Sequence, residues 1–148
     1  MATMGFQPYD TAGVRTVHLP SYTTGNFAKG DAVYLNAGVV TKAASGIAVC
    51  SIFGVAAGNA LTSGTVPVYV ADPTTVWVGT VDGTSVEGTV GENYGLNITS
   101  GDMSIGQSLT TNTLVRIIDV HPADGYKALG RVLFCWKATA IQGDEAAN

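Results

Sequence analysis

The chain has 148 residues, one domain's worth of protein, long enough to bury about two-thirds of its unfolded surface. It is 46% apolar but only 12% charged, roughly half the usual charged share, which speaks against a disordered chain. The formal net charge is −4, and the seven basic residues (Arg15, Lys29, Lys42, Arg116, Lys127, Arg131, Lys137) are scattered singly, so no nucleic-acid partner is expected.

Residues 1–30, "MATMGFQPYDTAGVRTVHLPSYTTGNFAKG", carry Pro8, Pro20 and the aromatics Phe6, Tyr9, Tyr22 and Phe27. Proline fixes φ and removes a donor, so this stretch reads as neither a helix nor a central strand. Only "VRTVHL" (14–19) alternates as a strand. An extended N-terminal arm is expected, with its rings buried against its own barrel or against a neighbour. The start shows neither the basic cluster nor the apolar core of a secretory signal.

From residue 31 to about 140 the text becomes strand–turn–strand. "AVYL" and "VVTKA" flank "NAG", a hairpin in which Gly38 can supply a positive φ. "GIAVCSIFGVAAG", "TVPVYVA", "TVWVGTV", "NYGLNIT", "QSLTT", "TLVRIIDVH" and "ALGRVLFCWKA" follow as strand-like runs. They are joined by "DP", "DGTS", "SGD", "TNT" and "PADGY", all turn chemistry. No run sustains a helical period, so the expected fold is all-β: a jelly-roll- or tulip-like antiparallel barrel or sandwich. The longest apolar tract, 47–61, is broken by Ser51, Gly54, Gly58 and Asn59, too short for a membrane span. Residues 141–148, "IQGDEAAN", read as a frayed polar tail.

The stretch "VPVYVADPTTVWVGTV" (66–81) places Val66, Val68 and Val70 on one strand face and Pro67 and Tyr69 on the other. Trp77 likewise opposes Val76 and Val78, and Pro67 predicts an edge strand or a bulge. If the sheet is covered on both faces within one chain, Tyr69 and Trp77 are core. If not, they meet a subunit or a partner, or serve as a platform for a sugar or a base. Trp136, sharing a face with Val132 and Phe134, is expected in the core.

Catalytic patterns occur only as fragments. Asp119 and His121 share a strand face but fall short of a metal site, and a rim hydrogen bond beside "HPADG" is the expected role of His121. Asp82, Glu87 and Glu92 lack the ligand spacing of a calcium loop. "GTSVEG" (83–88) is neither a nucleophile elbow nor a phosphate loop. "KGD" (29–31) and "NIT" (97–99) match an adhesion motif and a glycosylation sequon that chance also produces. "VDGTSVEGTVGENYG" does not reproduce the motifs of the dUTP pyrophosphatases, another group of small all-β trimers. Cys50 and Cys135 are expected as buried free thiols, with a disulfide between them the alternative. No catalytic, cofactor-binding or metal-binding residues are expected, and no enzyme.

The blocks "FAKGDAVYLNAGVVTKAA", "SIFGVAAG", "VPVYVADPTTVWVGTV", "VGENYGLN", "GQSLTTNTLVRIIDVHP" and "ALGRVLFCW", in that order, resemble the small β-barrel decoration or cement proteins of tailed-bacteriophage heads. The resemblance covers residues 27–137 as short apolar words. It implies a trimer at three-fold and quasi-three-fold positions, bound to the major capsid protein lattice on the outer virion surface after synthesis in the host cytoplasm. No catalytic residues come with it. The contact residues expected on this reading are Phe6, Tyr9, Tyr22, Phe27, Tyr69 and Trp77. A phage surface module binding a receptor or a glycan is the alternative.

Overall fold

The computed structural model describes residues 5–21, 27–49, 51–61, 64–82, 88–99, 102–125 and 130–142. Their strands are β1 (Gln7–Pro8), β2 (Thr16–Pro20), β3 (Ala32–Asn36), β4 (Val39–Lys42), β5 (Gly54–Ala56) and β6 (Thr65–Val70). Then come β7 (Trp77–Thr80), β8 (Asn93–Thr99), β9 (Asp102–Gly106), β10 (Val115–Val120) and β11 (Arg131–Trp136). The fold is all-β, its only helical turn among the described residues being the 3-10 turn Ala138–Ala140.

A six-stranded sheet runs β1-β7-β11-β10-β8-β9, and a five-stranded sheet runs β2-β6-β5-β3-β4. Both are antiparallel throughout their ladders, and both curl. In the five-stranded sheet the edges β2 and β4 come back into contact. In the six-stranded one, Val81 beyond β7 bridges Ile105 of β9.

The curl explains how one sheet hides two apolar faces. Val33, Val40, Ala56, Val66 and Val68 close a small core with Phe27 inside the five-stranded sheet. Its other face, through Ala32, Val55 and the half-buried Tyr69, joins the main core with Trp77, Ile105, Ile117, Val132, Phe134 and Trp136 of the six-stranded sheet. Trp136 thus lies in the core beside Val132 and Phe134, as their shared strand face predicts.

The prolines of the N-terminal segment sit where a missing donor is tolerated. β1 carries Pro8 and β2 ends on Pro20, and each strand is the edge of its sheet. The segment so supplies an edge strand to each sheet, and Phe6 and Phe27 take the first of the two expected placements, against their own chain.

Pro67 departs from the sequence reading, because β6 has neighbours on both sides. Its carbonyl accepts from the Ala57 N–H at 2.9 Å, so its own nitrogen faces the same side, just past the end of β5 at Ala56. The rung to Ala57 keeps one bond instead of the two of a hydrogen-bonded pair, and it falls at the end of the β5–β6 ladder, where the missing donor interrupts no further rung.

The β3–β4 hairpin closes through two residues, Ala37 (φ 51°) and Gly38 (φ 81°), both left-handed as a type I′ turn requires. Two runs differ from expectation. "QSLTT" is a loop, and the strand is Asp102–Gly106, one word earlier. Leu109 folds back over the directly paired Gly95 and Gly106, accepting from Gly95 N–H and donating to the Gly106 carbonyl, both at 2.9 Å. A Cβ on Gly106 would lie 2.6 Å from the Leu109 side chain, so the two glycines form the floor that the leucine occupies. Among its described residues, the long apolar run at 46–58 contributes only the three-residue β5 and the single bridge from Ile52 to Ile141.

That bridge shows the start of the expected tail to be tied down. The Gln142 amide accepts from the Leu35 N–H and donates to the Leu35 carbonyl, each at 2.8 Å, extending β3's pairing beyond β5 with a side chain. Residues 143–148 lie outside the described set.

Candidate functional site

Six aromatic residues were expected at a contact surface, and the structure separates them. Trp77 is fully buried, Phe6 is 1% exposed and Phe27 is 4% exposed, so none of the three presents a surface in the single chain. Tyr69 is half-buried against the main core. Tyr22 lies outside the described residues. Only Tyr9, at 49%, is exposed.

The correction at Tyr69 and Trp77 has a simple cause. The alternation is right, with Val66 and Val68 on one face of β6 and Tyr69 on the other, but the second face is covered by the six-stranded sheet. Tyr69 meets Trp77 edge-on at 6.3 Å between ring centroids, and Trp77 meets Trp136 at 6.3 Å. Phe134 and Phe6 join Trp136 at 5.4 and 5.9 Å, again edge-on, the geometry in which ring quadrupoles attract. The indole N–H groups of Trp77 and Trp136 have no acceptor among the described residues.

Phe6 enters this cluster as a peg. It is carried by the segment leading into β1, and its N–H donates to the Gly30 carbonyl at 2.7 Å. Its ring lies over Gly79, where a Cβ would approach it to 2.7 Å and Phe134 to 3.0 Å. Trp77 and Gly79 share the inward face of β7, continued by the buried Val81 just past its end, and the absent side chain at 79 is the socket that the phenylalanine fills.

Tyr9 follows β1 and donates its N–H to the Val76 carbonyl at 2.9 Å. Its ring stands edge-on to His121 at 5.9 Å. His121 Nδ1 accepts from the Ala123 N–H at 3.1 Å, the rim hydrogen bond expected of it. Tyr9, Asp10, Ala12 and Gly13 form one wall, and Thr74, Thr75 and Val76 the other, of an open hollow of about 360 Å³.

The charged side chains of the sequence fragments serve the fold. In "KGD", the buried Asp31 accepts from the Ala28 N–H at 2.9 Å and pairs with Lys42 at 3.3 Å, so its carboxylate closes a turn. Asp82 accepts from the Asn97 amide at 2.7 Å and the Gln107 N–H at 2.8 Å, which commits both the would-be calcium ligand and the sequon asparagine. Glu87 lies outside the described residues. Asp119 accepts from the next residue's N–H at 2.8 Å. Asp124 binds Arg131 through two side-chain contacts at 2.8 and 3.0 Å, and this hydrogen bonding raises the Arg131 pKa. Among the described residues no group of three His, Cys, Asp or Glu side chains is placed to hold a metal.

Three further titrations are displaced. Asp72 is held below the ordinary carboxylate range by the Thr74 N–H and hydroxyl, both 2.7 Å from its Oδ1. Tyr94 is pushed up by burial, then by the charge of Glu92. Cys135 is a free, half-buried thiol whose burial raises its pKa, away from nucleophilic character; Cys50 lies outside the described residues.

The residues that sequence reasoning missed are Gly79, Leu109 and Gln142. Only Gly79 left a signal, a glycine on the inward side of an otherwise bulky strand. Compared with models of known families and with curated proteins, the chain matches none.

Proposed function

We propose that the protein is a decoration or cement protein of a tailed-bacteriophage head, which binds the assembled shell as trimers. The observation that carries the reading is the order of apolar words over residues 27–137, which resembles that group, in a charge-poor all-β chain. Few charges suit a molecule whose outside is consumed by contacts with its copies and with the lattice, because such contacts do not fade with salt.

The mechanism is mass action. A protein that binds the expanded lattice and not the loose capsid subunits stabilises the lattice by its binding free energy at each site. A trimer spanning several subunits adds avidity to modest single contacts. Of the six aromatic residues first expected at that surface, Tyr9 is the described side chain still free to make such a contact. The jelly-roll or tulip comparison, the trimer and the outer virion surface belong to this proposal.

Sedimentation of the purified protein with mature empty heads, at low and at high salt, tests it. Co-sedimentation that survives high salt is expected; failure to bind heads refutes the reading. A second reading, a glycan-binding surface module, is favoured by one feature, the exposed Tyr9 ring beside a hollow that also holds Asp10, Thr74 and Thr75. Glycan-array binding without head affinity would select it.

A further inference from the structure

Two hollows border the same short segment. One, of about 180 Å³, is lined by Phe6, Gln7, Pro8 and Thr11 on one side and by Lys29 and Tyr69 on the other. The second, of about 360 Å³, lies between Tyr9–Gly13 and Thr74–Val76. Along residues 6–13, Phe6 and Pro8 are buried while Gln7 and residues 9–13 are exposed. What holds them is discrete: the Phe6 ring over Gly79, the two rungs Gln7–Val78 and Pro8–Trp77, the hydrogen bonds of Phe6 to Gly30 and of Tyr9 to Val76, and the Tyr9 ring against His121. Sparse packing around a few point attachments marks a unit that opens without global unfolding.

From this we infer that β1 and its Phe6 peg are exchanged between neighbouring copies, each copy's socket at Gly79 receiving the phenylalanine of the next. The inference rests on the self-association in the reading above and deepens it by naming what joins the copies. The segment's contacts are made with Val76 and β7, with Gly30, with the aromatic cluster and with His121, so the segment of a second copy satisfies the same groups in the same way. Exchange then conserves the contacts, which is what makes swapping of an identical element a low-cost route to an oligomer.

The tether permits it. Tyr9–Arg15 connect β1 to β2, and seven extended residues reach up to about 23–25 Å. In the closed form the bonds inside this tether are short-range, from Ala12 N–H to Asp10 at 2.9 Å and from Val14 N–H to Thr11 at 3.2 Å, while its two ends are held by Tyr9 N–H to the Val76 carbonyl and Val70 N–H to the Arg15 carbonyl, each at 2.9 Å. Head-to-tail passing of one peg per subunit closes into a ring when the rotation allows, so a trimer is a natural product.

Register-matched cysteines test the exchange. Gln7 and Val78 are directly paired across the ladder, and antiparallel partners lie within the Cα separation a disulfide accepts. The chain Gln7→Cys/Val78→Cys, with Cys50→Ala and Cys135→Ala, is oxidised and run on denaturing gels, with its native mass measured by light scattering. A trimer whose subunits are covalently joined is the expected result. A trimer with only intrachain links overturns the exchange and leaves the oligomer standing; a monomer with intrachain links overturns both.

A second measurement guards against a misfolded double-cysteine chain. Phe6→Ala lacks the peg and Gly79→Ala blocks the socket; after the two are unfolded and refolded together, the Gly79→Ala peg can fill the Phe6→Ala socket. A new melting transition several degrees above that of either variant alone is expected. Two unchanged transitions overturn the proposal.

Discussion

Replacing Trp77 by alanine removes one of the two indole rings of the main core, one that is fully buried and touches both Tyr69 and Trp136 edge-on. Truncation of a buried aromatic costs about 3–5 kcal/mol through lost transfer energy and the cavity left behind. Against this, the indole N–H has no acceptor among the described residues, and removing a buried unsatisfied donor returns about 1–3 kcal/mol. The cavity wins in Trp77→Ala, with a net loss of about 2 kcal/mol between the midpoints of the two ranges, out of a total stability of about 5–15 kcal/mol. In Trp77→Phe the two effects nearly offset, because most of the ring remains and the orphan donor goes. At this chain length each kcal/mol moves the melting temperature by about 2–4 °C, so Trp77→Ala melts about 4–8 °C lower. Thermal melts by circular dichroism with urea titrations of both variants provide the check. A Trp77→Ala protein as stable as its parent would refute the core placement and return the ring to an outer face.

Gly79→Ala drives a Cβ into the Phe6 and Phe134 rings and costs about 1–3 kcal/mol by overpacking; the loss shrinks when Phe6→Leu is added, a double-mutant cycle that chemical denaturation reads. Gln142→Ala leaves the Leu35 N–H and carbonyl without their partners and lowers stability by about 1–3 kcal/mol, with faster amide hydrogen exchange at Leu35. Ala37→Gly relieves a left-handed alanine worth about 1–2 kcal/mol, and the gain, reduced by glycine's greater freedom in the unfolded chain, appears as a small rise in melting temperature. The Asp72 carboxyl, held below its usual 3.8 by Thr74, contributes stability that is fully present above that value and lost as pH falls through its folded-state pKa. Asp72→Asn flattens that acid limb, most visibly in urea melts between neutral and strongly acid pH.

The strand content was legible because the apolar words are short, β-branched and separated by turn residues, as at Ala32–Asn36 and Val39–Lys42. The faces of β6 were legible too, since alternation separates Val66 and Val68 from Tyr69. What covers each face was not, because that depends on how a sheet curls and which sheet stacks on it, long-range facts that no local pattern carries. Trp77 was misplaced for this reason. Pro67 misled for a related one: proline cannot donate to a ladder, but the bond it forgoes is at the last rung, to Ala57 just past the end of β5. Asp102–Gly106 was passed over although Met103 and Ile105 alternate with Asp102 and Ser104, because the turn residues Asp102 and Gly106 bracket only three others, while the neighbouring "QSLTT" carries a leucine that folds back onto glycines.

Calorimetry of expanded empty heads, run with increasing amounts of this protein, tests the functional account most directly. The shell's thermal transition is predicted to rise with the free protein concentration, logarithmically once sites are filled, while loose capsid subunits melt unchanged. A shell transition that stays fixed at concentrations saturating any plausible site contradicts the account.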